Sequence, residues 1–224
     1  MREIKAVIFD LDNTLVDFMG AKMKACEEVS RIARCGSAEE LLQYFLRNRS
    51  AFESFHSIAE FLKDRGAFSQ ELFSRCCEVY EKTKLENLRI YSGVREVLER
   101  LKSMGLKLAI VTDAENGNAI ARLRKFGLEK YFDAIVSADM CGKMKPEPDS
   151  ILLALSMLGV EAREAVIVGD SIRRDILAGK KLGMLTIYAK YGDRNPSSDC
   201  DADFVAEKAT DILDIVCSLI RAQR

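Results

Sequence analysis

Short apolar runs without alternation constrain this chain more than any other feature. Ala6-Val7-Ile8-Phe9, Leu108-Ala109-Ile110-Val111, Ala134-Ile135-Val136 and Ala165-Val166-Ile167-Val168 each lead into a polar turn containing Gly or Asp. A strand with one wet face alternates apolar and polar residues, so runs that are apolar throughout call for cover on both faces, as in a parallel sheet between helical layers. Met184-Leu185-Thr186-Ile187-Tyr188 reads as a fifth strand. Helical patterns separate the runs. Ser92 is placed to cap one whose stripe is Val94, Val97, Leu98 and Leu101 and which Gly105 closes; the next ends at Gly127; a third carries Ile151, Leu152, Leu155 and Leu158 before Gly159. Strand and helix alternate, which predicts an α/β fold with a doubly wound parallel sheet and right-handed crossovers.

Residues 18–86 break the rhythm. Stripes such as Phe55, Ile58, Phe61 and Leu62, or Leu72, Phe73, Cys76 and Val79, follow one another with no strand between them. The expected organisation is therefore a core of residues 1–17 plus 87–224 and a helical insert of residues 18–86. Because the insert leaves the core just after the first strand, it is expected over the carboxyl ends of the strands, as a lid on the place where open α/β sheets bind ligands. Tyr191 to Asp201, with Gly192, Pro196, Ser197 and Ser198, is the most loop-like stretch.

A chain of 224 residues, 48% hydrophobic, can bury a full core, and 34 Lys plus Arg nearly cancel 35 Asp plus Glu. That balance advertises no basic face, which argues against nucleic acid or anionic membrane as partner and for a small soluble ligand. The apolar run after Met1-Arg2-Glu3-Ile4-Lys5 is too short for a signal segment or a membrane span, so a cytoplasmic protein is expected. Seven scattered cysteines without a Cys-x-x-Cys pair read as reduced thiols, with one member of Cys76-Cys77 facing inward, and the single His56 reads as a polar cap on an apolar helix face. Oligomeric state is not legible.

The chemistry sits at the strand ends. Asp10-Leu11-Asp12-Asn13-Thr14 puts two carboxylates in the turn after the first strand. They repel unless compensated, and a hard divalent ion such as Mg2+ prefers such oxygen donors. The first carboxylate can also attack phosphorus. After the second strand, Thr112-Asp113-Ala114 offers a hydroxyl and N–H groups to phosphate, or else a plain helix cap. Lys145-Pro146 follows the third strand and supplies either a charge for phosphate or an ordinary solvated Lys; Lys143 competes for the role, and the proline after Lys145 favours Lys145. Finally Gly169-Asp170-Ser171-Ile172-Arg173-Arg174-Asp175 brings Asp170 as a direct metal ligand and Asp175 as the holder of a metal-bound water or of the Lys145 ammonium. Arg173 and Arg174 read as a solvated helix face.

Asp10-x-Asp12-x-Thr14, Thr112, Lys145-Pro146 and Gly169-Asp170-x4-Asp175, in that order after separate strands, resemble the haloacid-dehalogenase-like hydrolase superfamily over nearly the whole chain. The resemblance implies a Rossmann-like core with an inserted helical cap. It implies Asp10 as nucleophile and metal ligand, and Asp12 as general acid/base that lends its main-chain carbonyl to Mg2+. Thr112, Asp113, Ala114 and Lys145 would contact phosphate, Asp170 would complete the metal site, and Thr14, Ser171 and Asp175 would support these groups. Dehalogenases of the superfamily lack an Asp at the position of Asp12 and its phosphatases carry one, because an alkoxide leaving group needs a proton. A phosphatase acting on a small phosphorylated metabolite is therefore implied, and the short helical cap with the pairs Thr112-Asp113 and Lys145-Pro146 is similar to small archaeal-type members that hydrolyse glyceraldehyde 3-phosphate. Many relatives have Asn or Ser-Asn where this chain has Asp113, which either contacts phosphate or turns away to cap the helix starting near Asn116.

Two other classes fit parts of the pattern. A phosphomutase or phosphotransferase would use the same acids and return phosphate to a sugar. A phospho-accepting signalling module shares the acid pair and the Lys-Pro, but is about half this length, lacks an insert and places Lys-Pro after its last strand. A binding protein without turnover is disfavoured by the intact acid set.

Overall fold

The computed structural model of the protein describes residues 3–47, 54–196 and 200–221. Two compact units are present, Met1–Val16 with Ile90–Arg224, and Asp17–Arg89.

The first unit is built on six parallel strands among the described residues: β1 (Ala6–Phe9), β2 (Lys107–Thr112), β3 (Ala134–Ser137), β4 (Ala165–Gly169), β5 (Leu185–Ala189) and β6 (Phe204–Ala206), in the order β3-β2-β1-β4-β5-β6. The continuous runs are buried on both faces. Ala6 and Ile8 join Ala109, Val111, Ile167 and, from the helix Asp149–Leu158, Ile151 and Ala154 in one cluster, while Phe9 packs edge-on to Phe132. This is the architecture expected, a Rossmann-like sheet flanked by helices. The chain runs outward from β1 through β2 to β3 and returns to β4 on the other side of β1. The sheet therefore switches direction at β1 and β4, and the crevice beyond their carboxyl ends is the natural ligand site.

Several local readings differ. β6 was not expected, and the loop-like stretch before it contains a turn of helix at Lys190–Gly192; its Ser197 and Ser198 lie outside the described residues. The helix after the insert, α5 (Val94–Ser103), is entered through Gly93 at φ 86° and not capped by Ser92, since only a left-handed residue makes that turn and Gly takes it without strain.

The second unit consists of α1 (Phe18–Ala33), α2 (Ala38–Arg47), α3 (His56–Asp64) and α4 (Gln70–Asn87) around a core that includes Val29, Leu41, Phe45, Ile58, Phe61, Leu62 and Tyr80. The Asp17 side chain caps α1 by accepting from the Gly20 N–H, and Ser69 caps α4 at the Leu72 N–H. α4 packs on both α1 and α3, so its buried face is wider than a single stripe: Cys76 and Cys77 are both buried, together with Tyr80 and Lys84. His56 is exposed, with its Nε2 3.2 Å from Glu60 Oε1. All seven cysteines are free thiols. Among the described residues no helix is long and apolar enough to cross a membrane.

One close approach holds the first unit together at its functional end. The backbone of Gly192 lies so near Asn13 that an added Cβ would sit 1.6 Å from the Asn13 carbonyl oxygen. Backbone cannot yield as a side-chain tip can. Gly192→Ala is expected to lower stability by about 3 kcal/mol, read as the shift in the urea midpoint; a shift under about 1 kcal/mol would show the approach to be slack.

Candidate active site

Parallel pairing puts the ends of β1 and β4 nearly level. Phe9 stands opposite Val168 and Ile110, and the Asp10 N–H donates to the Val168 carbonyl at 2.9 Å, so the first residue past each strand meets at one edge. Those residues are Asp10 and Asp170, both buried.

Lys145 joins them. Its Nζ donates to Asp10 Oδ1 at 2.6 Å and to the Val111 carbonyl at 2.9 Å, and it pairs with Asp175 Oδ1 at 2.7 Å. Lys143, its rival in the sequence, is exposed and pairs with Asp149. Burial works against the Lys145 charge, but Asp10 and Asp175 outweigh it and raise its pKa above the usual lysine value.

Thr14 ties the two acids. Its Oγ1 accepts from the Asp170 N–H at 3.0 Å and lies 3.4 Å from both Asp10 Oδ2 and Asp170 Oδ1, to either of which its proton can point. Behind Thr14, the Tyr191 hydroxyl donates to the Thr14 carbonyl at 2.6 Å, and the Tyr191 ring meets Tyr91 edge-on. In the sequence Tyr191 and Gly192 read only as part of a loop-like stretch, which carries no signal for what it packs on.

Past Asp170 the chain makes a π-helical turn, Ile172–Ile176, in which the Ile176 N–H reaches back to the Ser171 carbonyl. Such wide turns recur at functional sites. Asp175 is folded under the strand end, with the Ser171 N–H on its Oδ2 at 3.0 Å, and Gly169 leaves room for it: a Cβ there would lie 2.3 Å from the Asp175 carboxyl carbon. The same turn corrects the reading of Arg174 as a solvated residue. Arg173 is exposed, whereas Arg174 pairs with Asp113 at 3.1 Å and lies 4.0 Å from Asp170.

Asp113 also departs from expectation. The N–H of Asn116, at the start of α6 (Asn116–Lys125), is taken by Asp139, so Asp113 does not cap that helix. Its two oxygens accept from the Lys145 N–H at 3.0 Å and from Arg174. A carboxylate there fastens the lysine loop. Thr112 and Ala114 stand beside it, bonded to each other at 3.2 Å.

Asp12 is not one of the three acids that cluster. Its Oδ2 is held by Arg122 of α6, a buried guanidinium that sequence reasoning passed over. The available signal was positional, since Ala119, Arg122 and Leu123 form the buried face of α6 and an Arg at such a place needs a partner.

Oxygens of Asp10, Asp170 and Asp175 all lie within 4.8 Å of one another. Among the described residues, four carboxylates, Asp10, Asp113, Asp170 and Asp175, are engaged by two cationic side chains, Lys145 and Arg174. The surplus of two negative charges, on hard oxygen donors, fits a divalent ion such as Mg2+. Electrostatics agree. Burial, then Asp10 and Asp175, push Asp170 well above the usual carboxylate range, and burial raises Asp10 against the opposing pull of Lys145.

Comparison with known proteins gives a consistent picture. The haloacid dehalogenase-like hydrolase family matches residues 7–189. A glyceraldehyde 3-phosphate phosphatase of Pyrococcus abyssi is 30% identical, over 84% of this chain and 82% of its own. A phosphoglycolate phosphatase of Vibrio parahaemolyticus is 28% identical, over 96% of this chain and 97% of its own. Among solved structures, an HAD phosphatase from Thermococcus onnurineus superposes with a TM-score of 0.69 at 26% identity, covering 95% of this chain and 98% of that one.

Proposed function

The chain belongs to the haloacid dehalogenase-like hydrolase family, and from that membership we propose that it is a Mg2+-dependent phosphatase that hydrolyses a small phosphorylated metabolite through an aspartyl phosphate on Asp10. The observation that carries this reading is the environment of Asp10: an ammonium at 2.6 Å on one oxygen, a hydroxyl on the other, and a second buried carboxylate, Asp170, sharing that hydroxyl.

An ester phosphate brings negative charge toward a carboxylate, and Lys145 offsets the repulsion. Thr112 Oγ1 and the Ala114 N–H exchange their mutual bond for phosphate oxygens. The Asp10 oxygen then bonds to phosphorus as the ester P–O bond breaks, and Asp12 gives its proton to the departing alkoxide. After the alcohol leaves, water attacks the same phosphorus, passes a proton to Asp12 and frees the Asp10 carboxylate. A Mg2+ held by Asp10, Asp170 and the main-chain carbonyl of Asp12 would neutralise the phosphoryl oxygens.

Relatives named for glyceraldehyde 3-phosphate and phosphoglycolate hydrolysis support a short phosphate ester as substrate. A cytoplasmic location belongs to the same proposal and is supported by the free thiols.

Release of inorganic phosphate from a panel of triose, sugar, glycolate and nucleotide phosphates tests the reading. Turnover of the preferred ester is expected to fall at least about a hundredfold on chelation and to return with added Mg2+. Equal rates with and without chelator would remove the cation from the mechanism.

A further inference from the structure

We propose that Arg122 is a positioning residue for Asp12, its guanidinium holding the carboxylate in the orientation from which a proton passes to the leaving oxygen and is later taken from water. The inference rests on the acid/base role proposed above for Asp12 and adds the group that aims it.

Three observations carry it. α6 is strongly basic, yet its other cations turn outward: Arg124 pairs with Glu129 at the surface and Lys125 is exposed. Arg122 alone of these is buried, 4% exposed, and it meets Asp12 Oδ2. The base of Asp12 is fixed as well. Asn13 beside it takes a left-handed φ of 63°, and the Asn13 N–H closes the turn onto the Val16 carbonyl at 2.6 Å. An Asp at the rim of a crevice has several rotamers open to it, and this one, 20% exposed, is held at its base by the turn and at its tip by Arg122. The arm comes from the helix that follows the Thr112 strand, so one βα unit supplies both the expected phosphate contact and the support of the acid/base.

An orienting role predicts a dependence on leaving group that a packing role does not. With an alkyl phosphate, Asp12 is needed in both steps: P–O(alkyl) cleavage requires its proton, and hydrolysis of the aspartyl phosphate requires it as base. With p-nitrophenyl phosphate the departing phenolate needs no proton, and only the second step depends on Asp12.

The test compares Arg122→Met, Arg122→Lys and Asp12→Asn, using p-nitrophenyl phosphate and the alkyl phosphate that the unaltered enzyme turns over fastest. Arg122→Met is expected to lower alkyl turnover by about tenfold to a hundredfold and, with the aryl ester, to give a burst of about one equivalent of nitrophenolate before slow turnover. Asp12→Asn should show the same pattern more strongly, and the double variant should be no worse than Asp12→Asn alone. Arg122→Lys, which keeps a buried charge for Asp12, should recover part of the alkyl turnover and carries the comparison if the Met variant does not fold. Equal losses on both substrates without a burst, or losses that add in the double variant, would overturn the inference and leave Arg122 a packing residue. If Asp12→Asn itself spares alkyl turnover, the acid/base reading fails; if only the Arg122 variants lack the pattern, that reading stands and the positioning role falls.

Discussion

Asn in place of Asp10 is expected to cut turnover of the best phosphate ester by about 10^4-fold or more, with the fold intact. The loss is chemical: an amide oxygen is a far weaker nucleophile than a carboxylate, and with no acyl phosphate the water step has nothing to act on. The geometry has no reason to collapse. The Asp10 main chain is fixed by its own hydrogen bond to Val168, and Lys145 keeps Asp175 at 2.7 Å and the Val111 carbonyl. Removing one charge from a cluster with surplus acid offsets much of the lost ion pair, so the stability change should stay within about 1 kcal/mol. Single-turnover phosphate release and a denaturation curve on the same preparation separate the two effects. Activity within tenfold of the parent would remove Asp10 as nucleophile.

The parts of this site that were legible in the sequence are those fixed by strand ends. A parallel sheet brings the carboxyl ends of its strands to one edge, so Asp10, Thr112 and Asp170 could be placed together from the apolar runs before them. Lys145 and Asp175 followed because each lies a short loop or turn beyond such an end. What could not be read depends on side chains meeting across the fold. Arg122 reaches Asp12 from the far side of the second βα unit, Tyr191 and Gly192 come back from the end of β5, and Asp113 binds a loop 32 residues away. Arg174 was misread because a regular helical turn was assumed where the chain makes a π turn. β6 escaped notice because Phe204-Val205-Ala206 is brief, only its last residue is fully buried, and Asp203 before it serves Thr186 of β5 with both its main-chain and side-chain contacts. In the helical unit the stripe Leu72, Phe73, Cys76 and Val79 was half right, since packing against two neighbours moves the buried face to Cys76, Cys77, Tyr80 and Lys84.

Asp170→Asn should make the cation-free protein more stable at pH 8 while abolishing stabilisation by Mg2+. Asp170 is buried beside Asp10 and Asp175, and Arg174, 4.0 Å away, only partly offsets them; burial and those two charges hold its pKa well above the usual carboxylate range. For an acid the sign is clear. A pKa raised in the folded state means that ionisation costs the folded state more than the unfolded one. That cost is absent below the unfolded value near pH ~4, grows as pH rises, and is complete above the raised value. Cation-free parent should therefore lose ground to the variant as pH rises from mildly acidic to mildly alkaline, read as a lower urea midpoint than the variant's at pH 8, with little difference at pH 4.5. Asn keeps an oxygen for Thr14 but no charge for an ion, so added Mg2+ should raise the parent's urea midpoint at pH 8 and leave the variant's unmoved. A variant less stable than the parent in chelator at pH 8 would mean that Arg174 and Thr14 already compensate the charge. A divalent ion would then have no surplus to answer, and the electrostatic case for its binding beside Asp10 would be lost.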